Sequence, residues 1–133
     1  SSIDCKNLVM ENYFKEGGAD VPMLDFNSKS GNMIIRGRSF PEDSVGVYLP
    51  VLDWIDLYIA FPADFTLLQF DLDYFNSSTY KAFLNILLKL EKLMGSDKKV
   101  KVEWLYHERD IDMKAAGEEF EELVDIPFSF RVK

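Results

Sequence analysis

The stretch from Phe65 to Gly95 changes its hydrophobic period in the middle, and this change constrains the fold more than any other feature. In its first part apolar residues recur at every second position, as in a β-strand; they are Leu68, Phe70, Leu72 and Tyr74. Further on they recur at every third or fourth position, as in an amphipathic helix; they are Tyr80, Phe83, Leu84, Leu87, Leu88, Leu90 and Met94. The pattern predicts a strand that leads directly into a helix, which Gly95 ends in the left-handed conformation.

The junction between this strand and helix is a run of four small polar residues, Asn76 to Thr79. A strand that leads into a helix places the helix N-terminus, with its unpaired amides and partial positive charge, at the carboxyl edge of the sheet. Binding and chemistry in open α/β sheets concentrate at that edge. The hydroxyls of Ser77, Ser78 and Thr79 therefore have two interpretations. Either one of them caps the helix, or one of them is chemically modified or attacked.

Composition and charge exclude several classes of function. With 133 residues, of which 47% are hydrophobic, the chain suits a single domain over residues 1–133 with a substantial core. A net charge of −8, from 15 basic and 23 acidic residues, disfavours binding to nucleic acid and to anionic membranes. Cys5 is the only cysteine, which excludes an internal disulfide and favours a reducing compartment. Without a membrane-spanning run or a signal-peptide pattern, the expected location is the cytoplasm.

The first half of the chain is less regular. Residues 1–21 are expected to form an N-terminal arm or an edge segment, with a short edge strand or an ordered arm at Leu8–Met10. Two short strands at 23–27 and 33–37 then form an antiparallel pair around a turn-rich connector. The cluster Ser39–Ser44 indicates a helix start. A proline deep inside a helix costs roughly 3 kcal/mol, so this helix either begins near Leu49 or is kinked at Pro50.

The second half continues the alternation of strands and helices. A strand is expected at 100–106, a third helix with its apolar face at Met113, Ala116, Phe120, Leu123 and Val124, and a last strand at 128–132 after Pro127. The order is therefore β-β-α-β-α-β-α-β. Because each helix is long enough for a right-handed crossover, we expect an α/β fold with a mixed, mostly parallel sheet packed with helices.

Asp71 and Asp73 are the residues most suggestive of catalysis. They lie two positions apart at the end of the central strand, so both side chains leave the same face near the hydroxyl cluster. Together with Ser77 they could form the metal site of a small hydrolase or phosphotransferase. The favoured interpretation is that they are solvated and shape the electrostatics of an interface. A lone His107 and the absence of phosphate-binding or nucleophile-elbow motifs predict a protein without a cofactor that is not an enzyme.

Four segments together resemble a known family. They are Arg38–Asp43, Tyr74–Ser78, Val102–Tyr106 with the charged loop behind it, and Ile126–Phe128. With the order of elements, they are similar to STAS-type anti-sigma-factor antagonists and more specifically to the SiaC family of bacterial regulatory phosphoproteins. The resemblance spans roughly residues 22–132. It implies a STAS-like fold with a phosphorylated hydroxyl where the third strand meets the second helix.

The resemblance also implies a function. In that family the residue directly after the asparagine is the phospho-acceptor, which is Ser77 here; a member of the family has threonine at this position, and Ser78 and Thr79 stay open as alternatives. It implies a serine/threonine kinase related to anti-sigma factors, a metal-dependent phosphatase, and an effector such as a diguanylate cyclase, bound only by the unmodified form. The expected output is cyclic di-GMP signalling and biofilm regulation. We expect the partner-binding residues to be Asp71, Asp73, Asn76, Ser78, Thr79 and Lys81.

Overall fold

A computed structural model describes residues 10–133. Over this range the chain forms six strands: β1 (Tyr13–Lys15), β2 (Met23–Phe26), β3 (Asn32–Ser39), β4 (Phe65–Phe75), β5 (Lys99–Tyr106) and β6 (Phe128–Val132). Its α-helices are α1 (Ser44–Tyr58), α2 (Ser77–Leu90) and α3 (Ile111–Leu123), and a 3-10 turn at Glu91–Leu93 follows α2. None of these helices is both long enough and apolar enough to cross a membrane.

The strands stand in the sheet in the order in which they follow one another along the chain, from β1 to β6. The pairs β1–β2 and β2–β3 are antiparallel, and the pairs from β3 to β6 are parallel. This confirms the mixed, mostly parallel sheet. Because crossovers between parallel strands are right-handed and all three advance in the same direction, α1, α2 and α3 pack on one face. The other face carries no helix within residues 10–133.

The core lies between the covered face of the sheet and the three helices. Its centre is aromatic: the rings of Phe70 and Trp104 lie 4.9 Å apart on neighbouring strands, and Phe83 of α2 lies 5.0 Å from Phe70. Phe120 of α3 packs 5.6 Å from Trp104. All four side chains are fully buried. Rings at these separations in tilted geometries stabilise a core beyond the area that they bury, so the sheet holds α2 and α3 through one cluster.

The first helix begins earlier than Leu49, which was one of the two alternatives predicted for it. α1 starts at Ser44 and is capped by the side chain of Asp43, which accepts a hydrogen bond from the N–H of Gly46 at 2.9 Å. A start near Leu49 is therefore wrong, and Pro50 lies inside the helix. Pro50 lacks the N–H that would bond to the Gly46 carbonyl. Both residues are exposed, so water can bind that carbonyl.

The N-terminal segment contains a strand that the pattern did not indicate. β1 pairs antiparallel with β2, with Tyr13 opposite Phe26, and forms one edge of the sheet. Most of the strand expected at Leu8–Met10 lies outside the described residues. Three residues are too short a run to show a period of two, which explains why β1 escaped the sequence analysis.

The third helix packs through a glycine rather than through its C-terminal leucine. Met113 and Phe120 are buried as expected, but Leu123 is 51% exposed. Gly117 lies directly over the indole of Trp104, so a Cβ atom there would lie 2.6 Å from the ring. The same indole donates a hydrogen bond to the Met113 carbonyl at 2.9 Å. This close approach sets the distance between α3 and β5.

We predict that Gly117→Ala destabilises the protein by about 1–3 kcal/mol, because the new methyl group must displace the Trp104 ring. In an unconstrained helix the same change would stabilise by up to about 1 kcal/mol. Urea denaturation followed by far-UV circular dichroism measures the difference. Ala115, an exposed neighbour on the same helix, provides the control: Ala115→Gly should cost only the propensity difference of about 1 kcal/mol. A Gly117→Ala protein as stable as the parent would contradict the close packing.

Candidate functional site

The turn from β4 to α2 is shaped by Asn76. Its backbone is extended, with φ −98° and ψ 179°, and its side-chain oxygen accepts hydrogen bonds from the N–H of Thr79 and the hydroxyl of Ser78, both at 3.0 Å. Asn76 is therefore the N-cap of α2. The prediction that one of the three hydroxyl residues caps the helix is wrong, because the preceding asparagine takes that position.

The three hydroxyl residues at the start of α2 have different environments. Ser77 is the first residue of the helix and is exposed, Ser78 is half-buried, and Thr79 is fully buried. A kinase must reach the oxygen that it phosphorylates. The geometry therefore favours Ser77 as an acceptor and keeps Ser78 as a second choice.

Thr79 belongs to a buried chain of hydroxyl groups. Its hydroxyl donates to the carbonyl of Ser39 at 3.1 Å and lies 2.7 Å from the Ser39 hydroxyl, which lies 2.6 Å from the hydroxyl of Tyr48. Each hydroxyl has one proton. Because Thr79 donates to the carbonyl, Ser39 must donate to Thr79, and Tyr48 must donate to Ser39. Burial raises the pKa of Tyr48 to about 12 against the lowering effect of its hydroxyl neighbours, so this donor keeps its proton.

This chain corrects the expectation for Thr79. Its oxygen is buried and its proton is already donated, so it is available neither to a kinase nor to the surface of a partner. The chain joins β3, α1 and the first turn of α2. It therefore positions the exposed Ser77 rather than reacting itself.

Asp71 lies on the bare face of the sheet, where it is held between two cations. Its carboxylate accepts from Nε of Arg36 at 3.0 Å and from Nζ of Lys133 at 2.6 Å. Burial alone would raise the pKa of Asp71, but the hydrogen bonds and charges of Lys133 and Arg36 outweigh it and hold the pKa below its ordinary value of 3.8. Asp71 is therefore part of a structural ion-pair network, and the expectation that it contacts a partner near the hydroxyls is not supported by its position.

Asp73 lies near the end of β4, where its carboxylate is 3.4 Å from the same Lys133 ammonium group that binds Asp71. It is one of the residues that line a cleft of about 580 Å³ beside Ser77. The full lining is Asp73, Tyr74, Phe75, Asn76, Ser77, Tyr80, Asp110, Asp112, Met113, Ala116 and Glu119. Asp73, Asn76 and Ser77, predicted to lie close together, all line this cleft, but the wall that α3 provides was not predicted. The charged loop before α3 was the available signal, since that helix also begins at the carboxyl edge.

A second group that the sequence analysis missed flanks the cleft on the β3 side. The guanidinium of Arg38 lies over the rings of Phe40 and Tyr74, 5.5 Å and 5.8 Å from their centres. All three side chains are exposed. Arg38 and Phe40 belong to the segment on which the family resemblance rests. Lys81, which we expected at the contact face, is exposed one turn after Ser77.

The arrangement does not fit the metal-dependent hydrolase. Within residues 10–133, no group of three or more histidine, cysteine, aspartate or glutamate side chains is arranged to hold a metal ion. Asp71 and Asp73 both contact the ammonium group of Lys133, at 2.6 Å and 3.4 Å, and Asp71 also pairs with Arg36. A lysine therefore already pairs with the two carboxylates on which that hypothesis depends.

Comparisons with known proteins cover this whole region. A model of the SiaC family of regulatory phosphoproteins matches residues 15–133. An uncharacterised protein of Pseudomonas aeruginosa is 29% identical over 115 residues, which are 86% of this chain and 91% of that protein. The crystal structure of apo-SiaC from Pseudomonas aeruginosa has a TM-score of 0.85 and 28% identity, and the match covers 92% of this chain and 99% of that chain.

A chain in the crystal structure of the diguanylate cyclase SiaD in complex with its activator SiaC, also from Pseudomonas aeruginosa, is similar to the same extent. Its TM-score is 0.85 at 27% identity, and the match covers 91% of this chain and 99% of that chain. The likeness in structure confirms the α/β architecture. The family match includes the β4–α2 turn and both walls of the cleft.

We predict that Thr79→Val destabilises the protein by about 1–3 kcal/mol, because the Ser39 hydroxyl then loses its buried acceptor while the shape of the side chain is kept. Ser77→Ala, two residues earlier, should change stability by less than about 0.5 kcal/mol, since its side chain is exposed. Equilibrium urea denaturation of both variants checks the contrast. Equal losses would contradict the assignment of Thr79 to structure and Ser77 to the surface.

We also predict a pH-dependent contribution from Asp71. Because its pKa is lower in the folded than in the unfolded chain, the stabilisation is complete above the ordinary pKa and is lost as the pH falls through the lowered folded value. Asp71→Asn should therefore cost up to about 1 kcal/mol near neutral pH, and the difference from the parent should vanish in acid. Urea denaturation across this range tests it. Asp97→Asn, an exposed residue at the opposite edge, controls for the change in net charge, and a cost independent of pH would contradict the ion-pair assignment.

Proposed function

The chain belongs to the SiaC family of regulatory phosphoproteins, and we propose that it is a phosphorylation-controlled partner switch with Ser77 as its acceptor. Unmodified, the carboxyl edge around Ser77 binds an effector protein, and phosphate on Ser77 releases it. The observation that supports this most is the placement of Ser77, which is exposed at the first position of α2 and lines the cleft.

The local backbone is suited to carry the phosphate. The N–H groups of Asn76, Thr79 and Tyr80 bond to Ser39, to the Asn76 side chain and to the Asn76 carbonyl. The amides of Ser77 and Ser78 are left at the open end of the helix. A phosphate at a helix N-terminus is favoured by these amides and by the helix dipole, typically by 0.3–1 kcal/mol. Phosphorylation should therefore leave the fold intact.

What changes on phosphorylation is the surface. The phosphate adds about −1.5 to −2 charges at a place where the effector would exclude water. Burying such a group without a matching cation costs several kcal/mol. Since a shift of about 5.5 kcal/mol turns a 99:1 equilibrium into 1:99, a single phosphate is sufficient to release a partner. The contact face in this proposal consists of Asp73, Asn76, Ser78 and Lys81, without Asp71 and Thr79.

The family assignment supports three partners. A serine/threonine kinase related to anti-sigma factors adds the phosphate, and a metal-dependent phosphatase removes it. The effector is a diguanylate cyclase, since SiaC of Pseudomonas aeruginosa is the activator of the diguanylate cyclase SiaD. In this proposal the protein is not itself an enzyme, and the switch operates in the cytoplasm.

We predict that the cognate kinase phosphorylates Ser77. Intact-mass and fragmentation analysis should find one phosphate on the parent and on Ser78→Ala, and none on Ser77→Ala. Ser78 is the matched control because it is the adjacent serine in the same turn. A phosphate retained by Ser77→Ala would move the acceptor elsewhere and contradict the assignment.

A second experiment tests whether negative charge at Ser77 controls binding of the effector. Ser77→Asp should weaken binding of the cognate diguanylate cyclase at least tenfold, whereas Ser77→Ala should bind it like the parent. Calorimetry with the purified proteins measures both affinities. If Ser77→Asp and Ser77→Ala bind equally well, charge at this position does not control the contact and the switch is refuted.

A further inference from the structure

The cleft beside Ser77 has an apolar floor. It lies between the β4–α2 turn and the first turns of α3 and has a volume of about 580 Å³. The apolar side chains along it are those of Phe75, Tyr80, Met113 and Ala116. The rings of Tyr80 and Phe75 stack on the buried Phe120, with centres 4.5 Å and 6.3 Å away. The floor is therefore the outer layer of the aromatic core and is already formed in the free protein.

The same cleft has an acidic rim. Its carboxylates are those of Asp73, Asp110, Asp112 and Glu119. None of the described residues that line it is a lysine, an arginine or a histidine. Asp73 lies 3.4 Å from His107 and from Lys133 at the outer edge. The other three carboxylates face the cleft without a cation among its lining residues.

Two of these carboxylates are also held in place by the protein. Asp110 caps α3 by accepting from the N–H of Met113 at 3.0 Å. Glu119 accepts from the hydroxyl of Tyr80 at 2.9 Å. Burial, followed by the bond to Glu119 and its negative charge, raises the pKa of Tyr80, so this donor keeps its proton. The negative charge of the rim is thus fixed in position above the floor.

We propose that the cleft receives an arginine side chain of the effector, an inference that rests on the partner switch proposed above. An arginine has an apolar stem that can pack against Met113 and Ala116 and a planar cation that can pair with the rim carboxylates. Its guanidinium also stacks on aromatic faces, and Tyr80 is an aromatic lining residue of the cleft. A lysine presents a compact, strongly hydrated charge and gains less from these walls. An uncharged side chain would desolvate the carboxylates without a partner.

An arginine in the cleft explains the position of Ser77, the proposed phospho-acceptor. Ser77 itself lines the cleft, so a phosphate on its hydroxyl competes with the guanidinium for the same space. The acceptor and the docking site share one cavity. Modification therefore acts on the contact directly and requires no movement of the fold.

The proposal is tested with a small probe and the unmodified chain of residues 1–133. N-acetyl-arginine amide is titrated into the protein and observed by NMR, with N-acetyl-citrulline amide as the nearly isosteric neutral control. Arginine amide should cause saturable shifts of the Ala116 and Met113 methyl signals and of the Ser77 amide, with millimolar affinity. Citrulline amide should bind at least fivefold more weakly. Equal shifts with both probes, or no saturable shift at these signals, would overturn the proposal.

Two pairs of variants locate the binding in the cleft. Ala116→Leu fills the cleft without changing charge and should weaken arginine-amide binding at least tenfold, whereas Ala115→Leu, on the exposed neighbour, should not. Asp112→Asn removes a rim charge without filling the cleft and should weaken binding two- to fivefold, whereas Asp97→Asn at the opposite edge should not. The second pair keeps the test valid if Ala116→Leu perturbs the fold. Unchanged binding by both cleft variants would refute the site.

The same variants distinguish this inference from the switch itself. The cognate cyclase should bind Ala116→Leu at least tenfold more weakly than Ala115→Leu while both proteins carry an unmodified Ser77. If Ser77 controls cyclase binding but Ala116→Leu binds normally, the switch stands and the arginine site is wrong. If the arginine titration succeeds but Ser77 is not phosphorylated, the cleft stands and the switch is wrong.

Discussion

The strands of this sheet are arranged in chain order, and this constraint governs the rest of the structure. Because every parallel crossover is right-handed and advances by one strand, the three described helices pack on one face and all begin at the carboxyl edge. Their caps, Asp43, Asn76 and Asp110, therefore lie along that edge. The face of the sheet without helices carries ion pairs between neighbouring strands, such as Arg36–Asp71 and Arg131–Glu103, which allow it to face water. Acidic and hydroxyl groups thus gather at one edge, where a partner can reach them.

The buried chain of hydroxyl groups holds the start of α2 in one position relative to β3 and α1. Tyr48 comes from α1, Ser39 from the end of β3, and Thr79 from the first turn of α2. The direction of donation is fixed throughout because each hydroxyl has one proton, and a chain with all its members satisfied specifies one geometry. In the proposed switch, a phosphate on Ser77 would therefore be added to a turn whose buried hydrogen bonds are already complete. The signal is carried by the surface, which suits a protein whose effect depends on what it binds.

The sequence predicted those features that local patterns encode. The central strand and helix, the antiparallel β2–β3 pair and the mostly parallel sheet followed from periodicity, and the junction residues Asn76 and Ser77 from the change of period. Features that depend on tertiary contact were missed. Gly117 has no side chain to mark its packing on Trp104, and the cleft needs α3, which is distant in sequence. Asp71 and Asp73 both contact Lys133, and Asp71 also contacts Arg36; the sequence pattern could not show these ion pairs because both cations are far from β4 along the chain.

A phosphate on Ser77 would attract the arginine of the effector, but it would also fill the space that the arginine stem needs. The free energies of these two effects decide which one is larger. An exposed ion pair between phosphate and guanidinium contributes about 0–1 kcal/mol. The three methylene groups of an arginine stem contribute about 0.8 kcal/mol each when they are buried against the apolar floor, or roughly 2.4 kcal/mol together. When a phosphate occupies the cleft, the burial of the arginine stem is lost and only the exposed ion pair is gained. The net loss is about 1.4 kcal/mol or more, which is tenfold in affinity. In the proposed switch this loss of space adds to the cost of burying the charged phosphate against the effector, and the exposed ion pair is too weak to offset both.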